Sequence, residues 1–363
     1  MKLDTISARS AFLLSFLFLT GNCYSLLFAS DCGRFVWLCY LLAGILATVV
    51  AFLLARVMRK QEDFFKTLET LFSHPLGKLI TFILALYAFL SLATSLSIFG
   101  RFNQLTALSE IPTIILPTII ILIGIRACRA GISAIARMGS FTILFVFAVF
   151  LVFSALGINF LSPKTLLPLM PSNPVGIFRG ALSVFTNQLG DLLLLAVLYP
   201  HLPCEKDSRA IPLGVATAAL VLTIISLITV MTLGERGILS DSYPVFTVLS
   251  IRSIGNFIQH LEILSSVAMT LIIFFRVSLA LYFIANAARH LLALPDYRAI
   301  VFPLGIFLAG TTQVLYRDML SLRTRLESSF SLMIALPLQI LLPVLLCLFS
   351  MAKQKNKHTL GSK

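Results

Sequence analysis

Charge is what this chain has least of. Asp, Glu, Lys and Arg make up 12% of its 363 residues, while hydrophobic residues make up 58%. A soluble domain carries roughly twice that share of charge, about 25%. With a mean hydropathy of +0.98, the composition excludes a soluble globular domain and points to a protein that crosses a membrane several times. Tryptophan is nearly absent, one against 30 Phe, which suits lipid-facing and helix-packing positions. The six cysteines, at 23, 32, 39, 128, 204 and 347, have no CxxC spacing and no His partner at ligand distance. They read as small apolar packing residues, so neither a metal, a cofactor nor a disulfide framework is indicated. The five histidines, at 74, 201, 260, 290 and 358, fall near expected helix ends. No Walker loop, GxSxG, HExxH or useful Cys/His pairing is present, which argues against an enzyme. Acidic residues are also few, 15 against 28 basic, for a net charge of +13. The basic residues are dispersed through short loops and gather only in the C-terminal tail, without the interleaved aromatics of a nucleic-acid groove. They fit the cytoplasmic ends of membrane helices and anionic lipid headgroups, so the bilayer is the expected partner and nucleic acid is not.

A spanning helix needs about 20 apolar residues. On that criterion ten are expected, over 9–30, 36–57, 79–99, 111–126, 139–160, 180–200, 211–234, 257–290, 299–316 and 329–350. Lys2, Arg9 and the apolar run to Thr20 also resemble a signal peptide, with Cys23 in a lipoprotein-like position. The resumed apolar character at Ser25-Leu26-Leu27-Phe28 favours an uncleaved first helix. With both termini cytoplasmic, 18 Lys and Arg fall in inner segments and 9 in outer ones, the bias the positive-inside rule requires. The chain then divides into a first five-helix half (1–160), an outer connection carrying four prolines (161–174), a second half (175–352) and a basic tail (353–363). All-α throughout, it is expected to form a 5+5 inverted repeat of the LeuT/APC-like kind, with helices 1 and 6 broken.

Those breaks are the chemically informative places. Thr186-Asn187-Gln188-Leu189-Gly190-Asp191 interrupts one apolar stretch and Thr20-Gly21-Asn22-Cys23 another. A carboxylate at membrane depth is expensive and marks a functional site by default. Paired interruptions in two halves point to a transporter-like binding site. Gly21 and Gly190 would let a ligand approach the backbone, while Asn22, Asn187 and Gln188 offer amide donors and acceptors. Asp191 would hold an ammonium group or act as a protonatable switch. Glycines and amides also serve plain helix packing, and that reading stays open. Arg276 is the other charge at depth, as a structural ion pair with Asp191 or as a ligand for a substrate carboxylate. Ser91 with Ser95, and Ser278 with Tyr282, stand four apart and so share helix faces that would line a polar cavity.

These residues carry a resemblance. Gly190-Asp191 with Pro200, Arg129-Ala130-Gly131-Ile132 with Arg137, and Tyr243-Pro244 follow in order. So do Ile254-Gly255-Asn256-Phe257 with Leu261-Glu262, Phe275-Arg276-Val277-Ser278-Leu279 with Tyr282, and Asp296-Tyr297-Arg298 with Pro303-Leu304-Gly305. Together they resemble the B-subunit (GerAB/GerKB-type) spore germination permeases, relatives of the amino acid–polyamine–organocation transporters. The chain departs from the family pattern with Asp191 for a usual Glu, Gln188 for a common proline and Ser133 at a usual Glu position. The resemblance implies a subunit of a germinant receptor in the inner membrane of an endospore. It would bind a small-molecule nutrient, an amino acid or similar germinant, beside an A-type membrane subunit and a C-type lipoprotein subunit. The competing expectation is a proton-coupled amino-acid permease that moves its substrate.

Overall fold

The computed structural model describes residues 5–21, 28–58, 63–106, 112–158, 161–167, 173–241, 243–250, 261–315 and 329–360. Its elements are helical, with no strand among the described residues. In order they are α1 (Ala8–Leu19), a 3-10 turn (Ser30–Phe35), α2 (Val36–Met58), α3 (Phe64–Phe72), α4 (His74–Thr106), α5 (Ile115–Ala130) and α6 (Ile132–Ile158). After a single 3-10 turn at Pro163–Leu166 come α7 (Pro174–Val184) with its continuation to His201, then α8 (Ala210–Ser240), α9 (Pro244–Ser250), α10 (Leu261–Leu291) and α11 (Arg298–Leu315). The last span comprises α12 (Ser329–Leu336), a π-turn (Pro337–Leu341) and α13 (Leu342–Leu360).

Eight of the described helical stretches are long and apolar enough to cross a membrane, against the ten expected. The other two expected spans contain shorter helices, α1 with 12 residues and α5 with 16. Each ends for a local reason. At the end of α1 the Thr20 hydroxyl folds back onto the carbonyls of Phe16 and Leu17, which caps the helix just before Gly21. At the end of α5 the backbone of Gly131 turns left-handed, with φ +98°, a conformation glycine adopts without steric cost. The expected helix at 257–290 is one unbroken α10 over its described part, and 257–260 lie outside the described residues.

One element went unforeseen. α3 lies in what reads as a charged loop, yet the Asp63 carboxylate caps its start by accepting from the Phe65 N–H at 3.0 Å. It buries Phe64, Phe65 and Leu68. Its Glu69 joins two neighbouring helices, accepting from His290 Nε2 and His74 Nδ1 at 2.9 Å each. Burial works to raise the Glu69 carboxyl, but the hydrogen bonds from His290 and His74 outweigh it and hold its pKa below the usual carboxylate value. A depressed pKa contributes stability that is present above the unfolded-state value and lost as pH falls through the folded one. Acidifying the purified protein below about pH 4.5 should therefore loosen α3, read as faster amide exchange over Phe64–Phe72. Glu69→Ala should remove that acid dependence.

Burial sorts the helices by position. In the 18-residue apolar windows of Ser266–Leu291 and Pro174–His201, 83% of residues are buried, against 22% in Arg298–Leu315. These two central segments carry Arg276 and Asp191. Around them α2 and α8 pack closely, and a Cβ at Gly44 would stand 2.8 Å from Ala219 Cβ. Such small-residue contacts are how helices approach where lipid removes the hydrophobic drive for association.

Candidate functional site

The interrupted segment is built from its N-terminus. The Asn173 side chain accepts from the Gly176 N–H and Pro174 takes the first helical position, where a missing N–H costs nothing. Regular α-helix holds to Val184. Phe185–Leu189 then widen into a π-turn, and Gly190–His201 tighten into a 3-10 helix. The interruption is thus a change of pitch, not an unwound stretch. A π-turn followed by twelve residues of 3-10 helix is unusual, since 3-10 runs beyond three or four residues are uncommon and π-turns cluster at functional sites. The Thr186 carbonyl, on the widened turn, accepts from Gln339 Nε2 at 2.9 Å. Gln339 sits in the other π-turn, at Pro337–Leu341, so the two irregular turns bond to each other.

Asp191 lies where the pitch changes. Its carboxylate accepts from Arg276 Nη2, from Ser91 Oγ at 2.6 Å and from the Tyr87 hydroxyl. Tyr87 in turn accepts from Gln339 Nε2. Arg276 donates further through Nε to Ser95 Oγ at 2.9 Å and through Nη1 to the Phe18 carbonyl at 3.4 Å. Its guanidinium carbon stands 5.3 Å from the Phe18 ring centre, a cation–π distance. The Asp191 and Arg276 side chains are each 2% exposed. At that burial the attraction is strong, and so is the cost of leaving either charge unpaired. With three donors on Asp191, the carboxylate is neutralised and largely saturated by protein.

The residues expected at this site fall into three places. Gly21, Ser91, Ser95, Gly190, Asp191 and Arg276 converge on the network. A Cβ at Gly21 would stand 2.7 Å from Arg276 Cδ, and one at Gly190 would stand 2.1 Å from Gln339 Cδ, so both glycines are closed over by side chains. Gln188 lies beside the network on the π-turn, fully buried. Its Oε1 accepts from the Tyr40 hydroxyl at 3.2 Å, which itself accepts from the Phe28 N–H. Asn187, also on that turn, bonds back to the Ser183 carbonyl at 2.9 Å. Tyr282 stands apart, paired through its hydroxyl with His201 Nε2 at 2.9 Å and packed on Tyr297. Ser278, four residues earlier, is buried, and its hydroxyl bonds to no described residue. Asn22 lies outside the described residues.

Sequence reasoning missed Tyr87 and Gln339. Tyr87 continues the Ser91–Ser95 stripe one helical step back, so the four-residue spacing held the signal. Gln339 had only its isolation in an apolar span to recommend it. Two buried amide atoms, one on each π-turn, make no hydrogen bond to any described residue. They are Gln188 Nε2, a donor, and Gln339 Oε1, an acceptor. Buried polar atoms almost always find partners, and these two have none among the described residues. A cavity of about 380 Å³ lies elsewhere, lined by Thr5, Ser7, Ser10, Ser133, Arg137 and Phe141.

The chain is similar in sequence to spore germination proteins. The chain is 22% identical to spore germination protein KB of Bacillus subtilis (strain 168) over 371 aligned positions, covering 99% of this chain and 98% of that protein. It is 23% identical to YfkT of the same strain, provisionally described as a spore germination protein, over 89% of this chain and 90% of the other. The family profile for spore germination proteins of the permease type matches residues 5–314. With that family match over residues 5–314, the chain, helical over its described residues and with eight helices long and apolar enough to cross a membrane, belongs to the spore germination permease family.

Proposed function

We propose that the chain is the nutrient-binding subunit of a spore germination receptor, and that it holds an amino-acid-like germinant against the π-turn at Phe185–Leu189. The observation that carries this reading is the pair of unbonded groups at Gln188 and Gln339. An amide N–H suits the carboxylate of a zwitterion and an amide oxygen suits its ammonium. The neutralised Asp191–Arg276 pair fixes the segment that presents Gln188 against α10, while Gln339 comes from the last span. Gln339 covers Gly190, so binding requires Gln339 to swing away, and this motion breaks its bonds to Tyr87 and the Thr186 carbonyl. A ligand that favours the opened arrangement shifts the population of helix arrangements, and that shift is the signal.

In this reading the short α1 and α5 belong to two further spans, giving ten in a 5+5 inverted repeat with both termini cytoplasmic and the connection at 161–174 outside. The protein works in the inner membrane of the endospore beside an A-type membrane subunit and a C-type lipoprotein subunit, which receive the signal.

Gln188→Met tests the ligand contact. It removes the free donor while preserving most of the volume, and a lost hydrogen bond to a charged group is worth about 1.5–3 kcal/mol. The concentration of amino acid giving half-maximal germination should rise by roughly tenfold or more, at 1.4 kcal/mol per factor of ten, with normal protein in the membrane. An unchanged dose response across the common amino acids would overturn the assignment of Gln188. A second reading, a proton-coupled permease that transports its substrate, is favoured by the carboxylate at membrane depth. Gradient-driven amino-acid accumulation in liposomes holding only this chain would favour the permease; its absence favours the sensor.

A further inference from the structure

Cys32 and Cys39, which lie close in space, stand seven residues apart in sequence. On a straight helix that spacing separates Cα atoms by about 10.5 Å at 1.5 Å per residue, beyond the 4.4–6.8 Å that a disulfide bridges. Cys32 and Cys39 do not lie on a straight helix. Gly33, between them, adopts φ +54° and ψ −122°, and this left-handed residue swings the Ser30–Phe35 turn out of line with α2. Both side chains then meet one glycine of α7. A Cβ placed on Gly180 would stand 2.5 Å from Cys32 Sγ and 2.9 Å from Cys39 Sγ. The thiols reach successive carbonyls of the same helix, Cys32 to Gly176 and Cys39 to Ile177, at 3.5 Å each. Both are reduced here, Cys32 half-buried and Cys39 buried.

We propose that Cys32 and Cys39 are a reversible dithiol–disulfide pair, oxidised by small-molecule disulfides and held on Gly180 of the central interrupted segment. Half-buried Cys32 is the thiol a reagent meets. Its thiolate attacks one sulfur of the disulfide, forming a mixed disulfide and expelling the other half as a thiolate, which takes up a proton. The Cys39 thiolate then attacks Cys32 Sγ, closing the internal bond and expelling the second half as a thiol. One small disulfide is reduced to two thiols as the protein's two thiols are oxidised, and both protons end on the released thiols. Oxidation also removes the two thiol donors from the Gly176 and Ile177 carbonyls. It thereby exchanges the ties to α7 for a tie between the Ser30–Phe35 turn and the first turn of α2. α7 leads into the π-turn, so the redox state of this pair sets how firmly that segment is anchored.

The test uses the full-length protein in detergent, reduced, freed of reductant and exposed to excess glutathione disulfide. Peptide mass spectrometry after alkylation should find Cys32 joined to Cys39 and two alkylatable thiols lost from that pair, with dithiothreitol restoring both. Exposed Cys204 should carry a glutathione adduct, which proves that the oxidant reached the protein. Cys39→Ser should trap the intermediate as a stable glutathione adduct on Cys32, and Cys32→Ser should leave Cys39 free. A Cys204 adduct with Cys32 and Cys39 both still alkylatable overturns the proposal. So does a crosslink from Cys32 to any other cysteine.

Discussion

Arg276→Met should remove most of the folded protein from the membrane. Arg276 and Asp191 are each 2% exposed, so the substitution leaves Asp191 without its counter-charge. Breaking one partner of a buried pair costs about 3–5 kcal/mol, against a total stability of roughly 5–15 kcal/mol. Ser91 and Tyr87 still donate to the carboxylate, but neither supplies charge, and protonation is the remaining way to relieve the cost. The double variant Asp191→Leu with Arg276→Met removes both charges at similar volume. Such replacements of whole buried pairs are often neutral or stabilising, so it should restore the membrane level. Immunoblots of isolated membranes and thermal unfolding in detergent read both effects. A normal level for the single variant would show that the pair does not hold the fold. Once the double variant is folded, its germinant dose response isolates what the charges do beyond folding. A preserved response would make the pair purely structural and leave ligand recognition to Gln188 and Gln339.

The same scarcity of charge explains what the sequence makes legible. In a chain this apolar each ionisable group at membrane depth stands out, because the bilayer penalises it. That is why Asp191 and Arg276, 85 residues apart, can be matched as candidates for each other from charge and depth alone. The long helices are legible for a related reason: with no water to satisfy the backbone, a run of about 20 apolar residues has little choice but helix. α3 escapes this logic. Its nine residues are too few to span and its Lys66 and Glu69 read as loop, although Asp63 followed by apolar residues at helical spacing holds a capping signal. Side-chain direction escapes too. Ser278 and Tyr282 share a face of α10, as their spacing requires, yet Tyr282 lies about 9 Å along the helix from Arg276 and joins His201 instead. Gln339 was illegible because a lone amide in an apolar span serves equally well as glue between helices. Only the partner turn at Phe185–Leu189 reveals that it bonds one irregular turn to the other.

Gly190→Ala should disturb that junction. Gly190 has φ −71° and ψ −16°, ordinary helical values, so an alanine there meets no backbone strain. Space alone decides. The added Cβ would stand 2.1, 2.2 and 2.4 Å from Cδ, Oε1 and Nε2 of Gln339, so the amide must leave. Gln339 is flexible enough to do so, but leaving breaks its hydrogen bonds to the Thr186 carbonyl and to Tyr87, the donor that orients toward Asp191. Overpacking costs about 1–3 kcal/mol, with each lost hydrogen bond adding about 1 kcal/mol. Thermal unfolding in detergent should shift to lower temperature, with the germinant response weakened. Gln339→Ala in the same chain makes room for the methyl and should recover part of the lost stability. The response should stay impaired, because Gln339 Oε1 is the acceptor assigned to the germinant's ammonium. Recovery of both in the double variant would reduce Gln339 to a packing residue, and wild-type behaviour of Gly190→Ala alone would mean that Gln339 is not held against Gly190.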